Sequence, residues 1–414
     1  MIDPRGNNLI FLLSVPRSGT SLSTVMLQNH SKVFATQEMW FLMSLHDLRK
    51  NSYRPYGGTA IINQFYNGIL TEELFDQSCR AFALQVYNGL LSTSDGARMV
   101  VDKSPRYYYM LEFLDRLFPH SKRIFLIRNP FSIIASYKKV NHHMNDRFDL
   151  IQDLRSPKFN IKTADITIGL MRYISYFSGD SPYACRLRYE QLVSQPQAEM
   201  MRLCEFLGLE YEAGVEKYSE HMNTAKAELF YSMGVGDPFL SRHNEPHRDS
   251  VHSWKETLDK QEIELYGRAL GARVFHELGY SEELAEAEKI TGVRFESAPD
   301  SELLELRTKQ LAELSGVVWT PGYLLQSSAE HIAADAPSIL PASSRTGQPN
   351  ALQLQITLRA VEKRLEKSLL EERRAKARLK ELNGKLKRIK SFIPFGKSLS
   401  RFASRYLIAD GVRK

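Results

Sequence analysis

The stretch from Ser14 to His30 (SVPRSGTSLSTVMLQNH) concentrates the groups with which a backbone loop holds an anion. Arg17 is a cation, and Ser18, Thr20 and Ser21 are hydroxyl donors. Gly19 lets the backbone come close to a ligand. Before the loop, Leu9 to Val15 is a short apolar run of strand character. After it, Leu22, Val25, Met26 and Asn29 recur at helical spacing. A helix that begins here presents first-turn N–H groups without intrahelical partners and the positive end of its dipole. The pattern therefore predicts a phosphate-binding loop. An ordinary strand-to-helix turn capped by Thr20 has the same composition and stays open as the alternative. The nucleoside-triphosphatase loop G-x-x-x-x-G-K-[ST] is excluded, because Ser14 stands in the place of its first Gly and Thr20 in that of its Lys.

The elements that must position this loop recur along the chain. Arg98 to Asp102 (RMVVD) reads as a buried strand running into Lys103-Ser104-Pro105. Arg123 to Ile127 (RIFLI) is a near-continuous apolar run, as in a strand covered on both faces. It ends in Arg128-Asn129-Pro130, and Pro130 suits the first position of a helix reaching Lys139. Cys185 to Tyr189 gives another strand, followed by a helix that ends at Leu207 with Gly208 as its cap. Residues 60–92 read as two helices, residues 141–182 as a helical cap, and Leu258 to Leu278 as helical. Strands alternating with helices predict an α/β fold with a parallel sheet flanked by helices. Ligands in such folds sit at the C-terminal strand ends, where this chain offers Arg17, Lys103, Arg128 and Tyr189.

Composition narrows the function classes. The chain of 414 residues is 43% apolar and 25% charged, as expected of a globular protein with a large core. Its net charge of +7 is unevenly spread: from residue 351 onward there are 18 basic and 6 acidic residues, against 37 and 42 before it. The basic character belongs to the tail, so nucleic-acid binding by the body is not expected. Cys79, Cys185 and Cys204 form neither a disulfide framework nor a zinc spacing, which predicts a reducing compartment. The apolar run at residue 9 is too short for a signal core or a membrane span, so a cytoplasmic location is expected. The histidines show no ligand spacing, and no metal is predicted.

The expected organisation is a domain over 1–295, a helical extension over 296–326, a flexible linker over 327–350, a coiled coil over 351–391 and a basic amphipathic tail over 392–414. Two apolar series at sevenfold spacing, Leu358, Leu365, Leu379, Leu386 and Val361, Ala375, Leu382, Ile389, form the seam. Ser368, Glu372 and Gly384 weaken it. Such a seam implies pairing with a second copy; a single amphipathic helix packed on the body is the alternative. The tail alternates Phe392, Ile393, Phe395, Leu399 and Phe402 with Lys and Arg. That pattern suits peripheral contact with an anionic membrane, or an acidic partner protein.

Taken together, PRSGTSL, DKSP, IFLIRNPFSIIASY and LRYEQLVSQP with FLGL following resemble the sulfotransferases that use 3′-phosphoadenosine 5′-phosphosulfate (PAPS). The likeness is to the bacterial branch, related to the carbohydrate and tyrosyl-protein enzymes, and covers residues 8–280. It implies a P-loop-like sulfotransferase fold with PAPS as donor co-substrate. Arg17, Ser18, Gly19, Thr20 and Ser21 would hold the 5′-phosphosulfate, and Arg128 with Ser136 the 3′-phosphate. Asn129 departs from the family's common Asp. Glu38 resembles the general base, with a solvated or salt-bridged Glu as its alternative. Lys103 resembles the lysine that stabilises the leaving oxygen, with an ion pair to Asp102 as its alternative. Tyr189 resembles a donor-binding tyrosine, or simply begins a helix. Trp254 and Lys255 resemble a late element in which the indole stacks on adenine and the lysine reaches phosphate. Trp40, Phe41, Tyr107, Tyr108 and Tyr109 would wall an acceptor pocket or fill a core.

The implied activity is transfer of a sulfuryl group to a hydroxyl, on a glycan or lipid-linked glycan in preference to protein tyrosine. Two rivals stand beside it. A nucleotide-dependent phosphotransferase would bind a nucleoside triphosphate with magnesium, against which the missing loop lysine argues. A non-catalytic nucleotide-binding scaffold would not depend on Glu38 or Lys103.

Overall fold

The computed structural model describes residues 1–50, 58–94, 96–217, 230, 245–325 and 351–392. The linker expected at 327–350 and the basic segment beyond Phe392 lie outside them. The chain divides into two compact units, Met1–Tyr53 with Glu72–Ala342, and Arg54–Thr71 with Ser343–Lys414.

The first unit is built on five parallel strands, β1 (Leu9–Leu13), β2 (Val33–Ala35), β3 (Met99–Lys103), β4 (Lys122–Ile127) and β5 (Ala184–Arg188), in the order β2-β3-β1-β4-β5. Every residue of β1 and β3 is buried, which explains their unbroken apolar character. The edge strand β5 instead alternates buried with partly or fully exposed positions. One face of the sheet carries Ile10, Leu12, Ile124 and Leu126 against Val25 and Met26 of helix Thr20–Asn29 and Met200, Leu203 and Leu207 of helix Pro196–Leu207.

Several local signals act as expected. Asn129 caps helix Pro130–His143 by accepting from the Phe131 N–H at 3.0 Å, with Pro130 in the first turn. Gly208 ends helix Pro196–Leu207 at φ 76°, left-handed backbone that suits a glycine. Other elements differ. Strand β2 has only three residues and no sequence periodicity of its own. Leu258 to Leu278 is two helices, Lys260–Leu270 and Ala272–Glu277, broken at Gly271.

Residues 301–325 pack on the same unit as the sheet. Arg307, fully buried in helix Ser301–Ser315, donates to the carbonyls of Asp153, Leu154 and Lys158. The Trp319 indole N–H donates to the Tyr109 carbonyl at 3.2 Å, and the Tyr323 hydroxyl to Asp115 at 2.9 Å.

In the second unit, residues 351–392 form one helix, Ala351–Phe392, which lies against the π-helical turn Gln64–Ile69. The segment 54–71 thus groups with this helix rather than with the sheet. Leu365, Leu379 and Leu382 of the expected seam are exposed.

Candidate active site

The strand order sets out the chemistry. Glu38 follows β2, Lys103 ends β3, the Pro16–Ser21 loop follows β1, Arg128 follows β4 and Tyr189 follows β5. Parallel strands put all five on the C-terminal edge of the sheet. A cleft of about 250 Å³ opens there, lined among others by Arg17, Gly19, Thr20, Ser21, Glu38 and Arg106.

The loop turns tightly, with Arg17 at φ 71° and Gly19 at φ 101°. Only at Gly19 does packing also demand the absence of a side chain: a Cβ there would lie 2.3 Å from Cδ2 of Tyr189. The Tyr189 ring is itself held from two sides. The Arg128 guanidinium sits 4.1 Å over its centroid, and its hydroxyl is 2.6 Å from Oγ of Ser250. Arg128 also donates to the Arg17 carbonyl at 2.8 Å, which ties β4 to the loop. Arg17 Nε donates to Ser136 Oγ at 3.2 Å. Arg17, Arg128, Ser136 and Tyr189 therefore form one assembly. Glu190, beside it, accepts from the Asn129 N–H at 3.0 Å and from the Tyr280 hydroxyl at 2.6 Å.

Two observations test the loop as an anion cradle. Helix Thr20–Asn29 receives no side-chain hydrogen bond at its N-cap. Ser18 Oγ is buried and has no hydrogen-bond partner among the described residues. A buried hydroxyl without a partner costs on the order of 1–3 kcal/mol, a cost that an acceptor oxygen in the loop would offset. The residues present fit a phosphate or sulfate group.

Lys103 Nζ, fully buried, donates to Glu38 Oε1 at 3.0 Å, and Glu38 is 28% exposed. Burial lowers the Lys103 pKa below its ordinary value, and the Glu38 carboxylate opposes that shift. The alternative partner, Asp102, is engaged elsewhere. Its Oδ2 accepts from the Tyr87 hydroxyl and, at 2.9 Å, from the Tyr107 hydroxyl. Successive strand residues point to opposite faces, which separates Asp102 from Lys103. Burial pushes the Asp102 carboxyl up to about 6.

Trp254 and Lys255 are not brought to this cleft. The Trp254 ring is fully buried and stacks on Phe131 at 5.1 Å, and Lys255 pairs with Glu286 at 2.5 Å. Tyr107 and Tyr108 likewise fill the core rather than a pocket wall. Trp40 is 38% exposed at the N-terminus of helix Phe41–Asp47.

Sequence reasoning missed one cluster. Arg106, on the cleft wall, grips the fully buried Asp165 through Nε at 3.1 Å and Nη2 at 2.9 Å. The hydroxyls of Tyr108 and Tyr137 donate to the same carboxylate at 2.7 and 2.9 Å. Asp165 lies in the polar stretch 141–182, where no local pattern separates a buried carboxylate from a solvated one. The position of Arg106 directly after DKSP was the available signal. Among the described residues, no cluster of His, Cys, Asp and Glu could hold a metal ion, and no helix is long and apolar enough to cross a membrane.

Comparison with known proteins adds to this geometry. Residues 9–213 match the model of a family described as the sulfotransferase family. Nodulation protein NoeE of Sinorhizobium fredii is 28% identical over 67% of this chain and 67% of its own length. Protein-tyrosine sulfotransferase A of Caenorhabditis elegans is 27% identical over 50% of this chain and 52% of its own length, so the chain spans about half of that relative. Among solved structures, the sulfotransferase domain of the Synechococcus PCC 7002 olefin synthase aligns over 64% of this chain and 94% of its own. Its identity is 22% and its TM-score 0.42.

Proposed function

Through residues 9–213 the chain belongs to the sulfotransferase family, and from that premise we propose that it moves a sulfuryl group from PAPS to a hydroxyl of a glycan or lipid-linked glycan. The observation that carries the reading is the meeting, at one cleft lined by Arg17, Gly19, Thr20, Ser21 and Glu38, of an anion-cradling loop with a carboxylate whose partner beneath the surface is the buried Lys103.

Bound in that loop, the donor would supply an activated sulfuryl group joined to a phosphate oxygen. Ser18 and the first N–H groups of helix Thr20–Asn29 hold the phosphate, and Arg17 adds charge. Glu38, on the cleft wall, takes the proton from the acceptor hydroxyl. Once protonated, Glu38 loses the charge that holds the Lys103 ammonium. Lys103 is then free to stabilise negative charge growing on the leaving oxygen. The two residues thus act in sequence, the proton's arrival on one releasing the other. Arg106, Asn141 and Lys162, set in the cleft wall among Pro16, Pro105, Tyr137 and Val140, give it polar groups with which a polyhydroxyl acceptor could bond.

Calorimetric titration with 3′-phosphoadenosine 5′-phosphate (PAP), without metal, tests the donor site. PAP is expected to bind, and Ser18→Ala to weaken it about 5- to 10-fold for one lost hydrogen bond. Binding of ATP with magnesium in its place would overturn the reading. Transfer of labelled sulfate from PAPS to tyrosine peptides but to no glycan would overturn the acceptor class. For the second unit, the exposed Leu365, Leu379 and Leu382 support pairing of the long helix with a second copy. Sedimentation of the chain as a monomer would refute that. Peripheral membrane contact by residues 392–414 rests on their composition.

A further inference from the structure

Arg106 has donors that the fold does not use. Its guanidinium carries five N–H bonds in a rigid plane. Nε and Nη2 face Asp165, and among the described residues no partner takes Nη1. The residue nevertheless lines the cleft beside Glu38 and Arg17. Its orientation is over-determined, since the Asp165 that anchors it is fully buried and also accepts from Tyr108 and Tyr137. An arginine whose one edge is clamped by a buried carboxylate presents its other edge at a set angle, as a binding fork should.

A second observation concerns the indole near the guanidinium. Trp40 holds φ 56°, a conformation in which a bulky residue is strained by about 1–3 kcal/mol. Its ring lies 5.7 Å from the Arg106 guanidinium carbon and remains 38% exposed. The backbone two residues after Glu38 is thus held in a sparsely populated conformation that leaves an indole exposed next to a cation. Such strain persists where a site needs it. An indole surface suits the C–H face of a sugar ring, and a guanidinium edge suits an oxyanion.

We propose that Arg106 and Trp40 form the acceptor subsite, and that the acceptor is an anionic saccharide: a hydroxylated sugar bearing a carboxylate, phosphate or sulfate group beside the hydroxyl that is modified. This rests on the sulfotransferase reading and deepens it by naming the charge of the acceptor. The oxyanion accepts from Nη1 and the outer N–H of Nη2, the sugar lies against Trp40, and the neighbouring hydroxyl is directed at Glu38. Arg106 and Trp40 bind and orient; neither takes part in proton transfer.

The test uses the full chain saturated with PAP and titrated by calorimetry with two probes, a glucuronic-acid-containing disaccharide and its methyl ester. The ester keeps the shape and removes the charge. The acid is expected to bind on the order of 10- to 100-fold tighter than the ester, as for a charge-assisted pair. Arg106→Lys, which keeps a cation against Asp165 but has no second edge, should abolish the preference and leave PAP affinity unchanged. Trp40→Ala should weaken both probes. Equal binding of acid and ester by the unaltered protein, or binding of neither, overturns the proposal without needing any variant. A loss of PAP affinity in Arg106→Lys would assign the guanidinium to the donor and overturn it as well. If PAP itself does not bind, the donor reading fails, which is a separate result.

Discussion

Replacing Gly19 by Ala tests how the loop is built. The new Cβ would lie 2.3 Å from Cδ2 and 2.7 Å from Cε2 of Tyr189, distances that real Cβ atoms do not show. Tyr189 cannot swing aside freely, because Arg128 covers its face and Ser250 holds its hydroxyl. Two costs add. Left-handed backbone at φ 101° costs a residue with a Cβ about 1–2 kcal/mol. Forcing a methyl group into a packed contact costs about 1–3 kcal/mol more. The total expected for Gly19→Ala is therefore about 2–5 kcal/mol. In a Tyr189→Ala background the steric cost disappears and only the backbone cost of about 1–2 kcal/mol remains. The two substitutions should thus be non-additive by about 1–3 kcal/mol, the double variant being more stable than the sum of the singles implies. Urea unfolding followed by the fluorescence of the buried Trp254 measures all four corners of this cycle. If Gly19→Ala costs the same with and without the tyrosine ring, the close approach is not what requires glycine, and the reasoning fails.

Substitutions at four other positions have stated outcomes. Lys103→Met should slow sulfuryl transfer by about 100- to 1,000-fold, and Glu38→Gln by about 100- to 10,000-fold, both with PAP affinity little changed. A large loss of PAP affinity with an unaltered rate constant would contradict the roles given to them. Asp102, pushed up to about 6 from 3.8 by burial, is protonated in the folded state when the unfolded chain has already released its proton. The native state is therefore favoured below pH 4 and loses this contribution as pH rises to 6. Asp102→Asn should gain about 3 kcal/mol of stability relative to the parent between those pH values. A stability difference independent of pH would refute it. Arg307→Ala leaves the carbonyls of Asp153, Leu154 and Lys158 without their donor and should destabilise the sheet unit by about 3 kcal/mol or more. An unchanged urea midpoint would show that residues 301–325 do not support the fold.

Local structure and the chemistry at the strand ends are legible in the order of the residues alone. Helix Thr20–Asn29, the strands around Met99–Lys103 and Lys122–Ile127, and the Asn129-Pro130 start of helix Pro130–His143 follow from hydrogen bonds and backbone preferences among neighbours. Such preferences act over a few residues and are written in order along the chain. The three-residue β2 escaped notice because so short a run carries no period. It exists only because β3 offers it an edge. The tertiary structure alone decided the partners. Lys103 finds Glu38 across 65 positions and Arg106 finds Asp165 across 59, while adjacent Asp102 is turned away to Tyr87 and Tyr107. Trp254, read as an adenine platform, is covered by Phe131, and the extension after 295 is tied down by Arg307. The physical reason is that strand order and side-chain burial come from closing distant segments onto one core. A charge's partner is then set by which strand lies beside it, and no spacing along the chain records that.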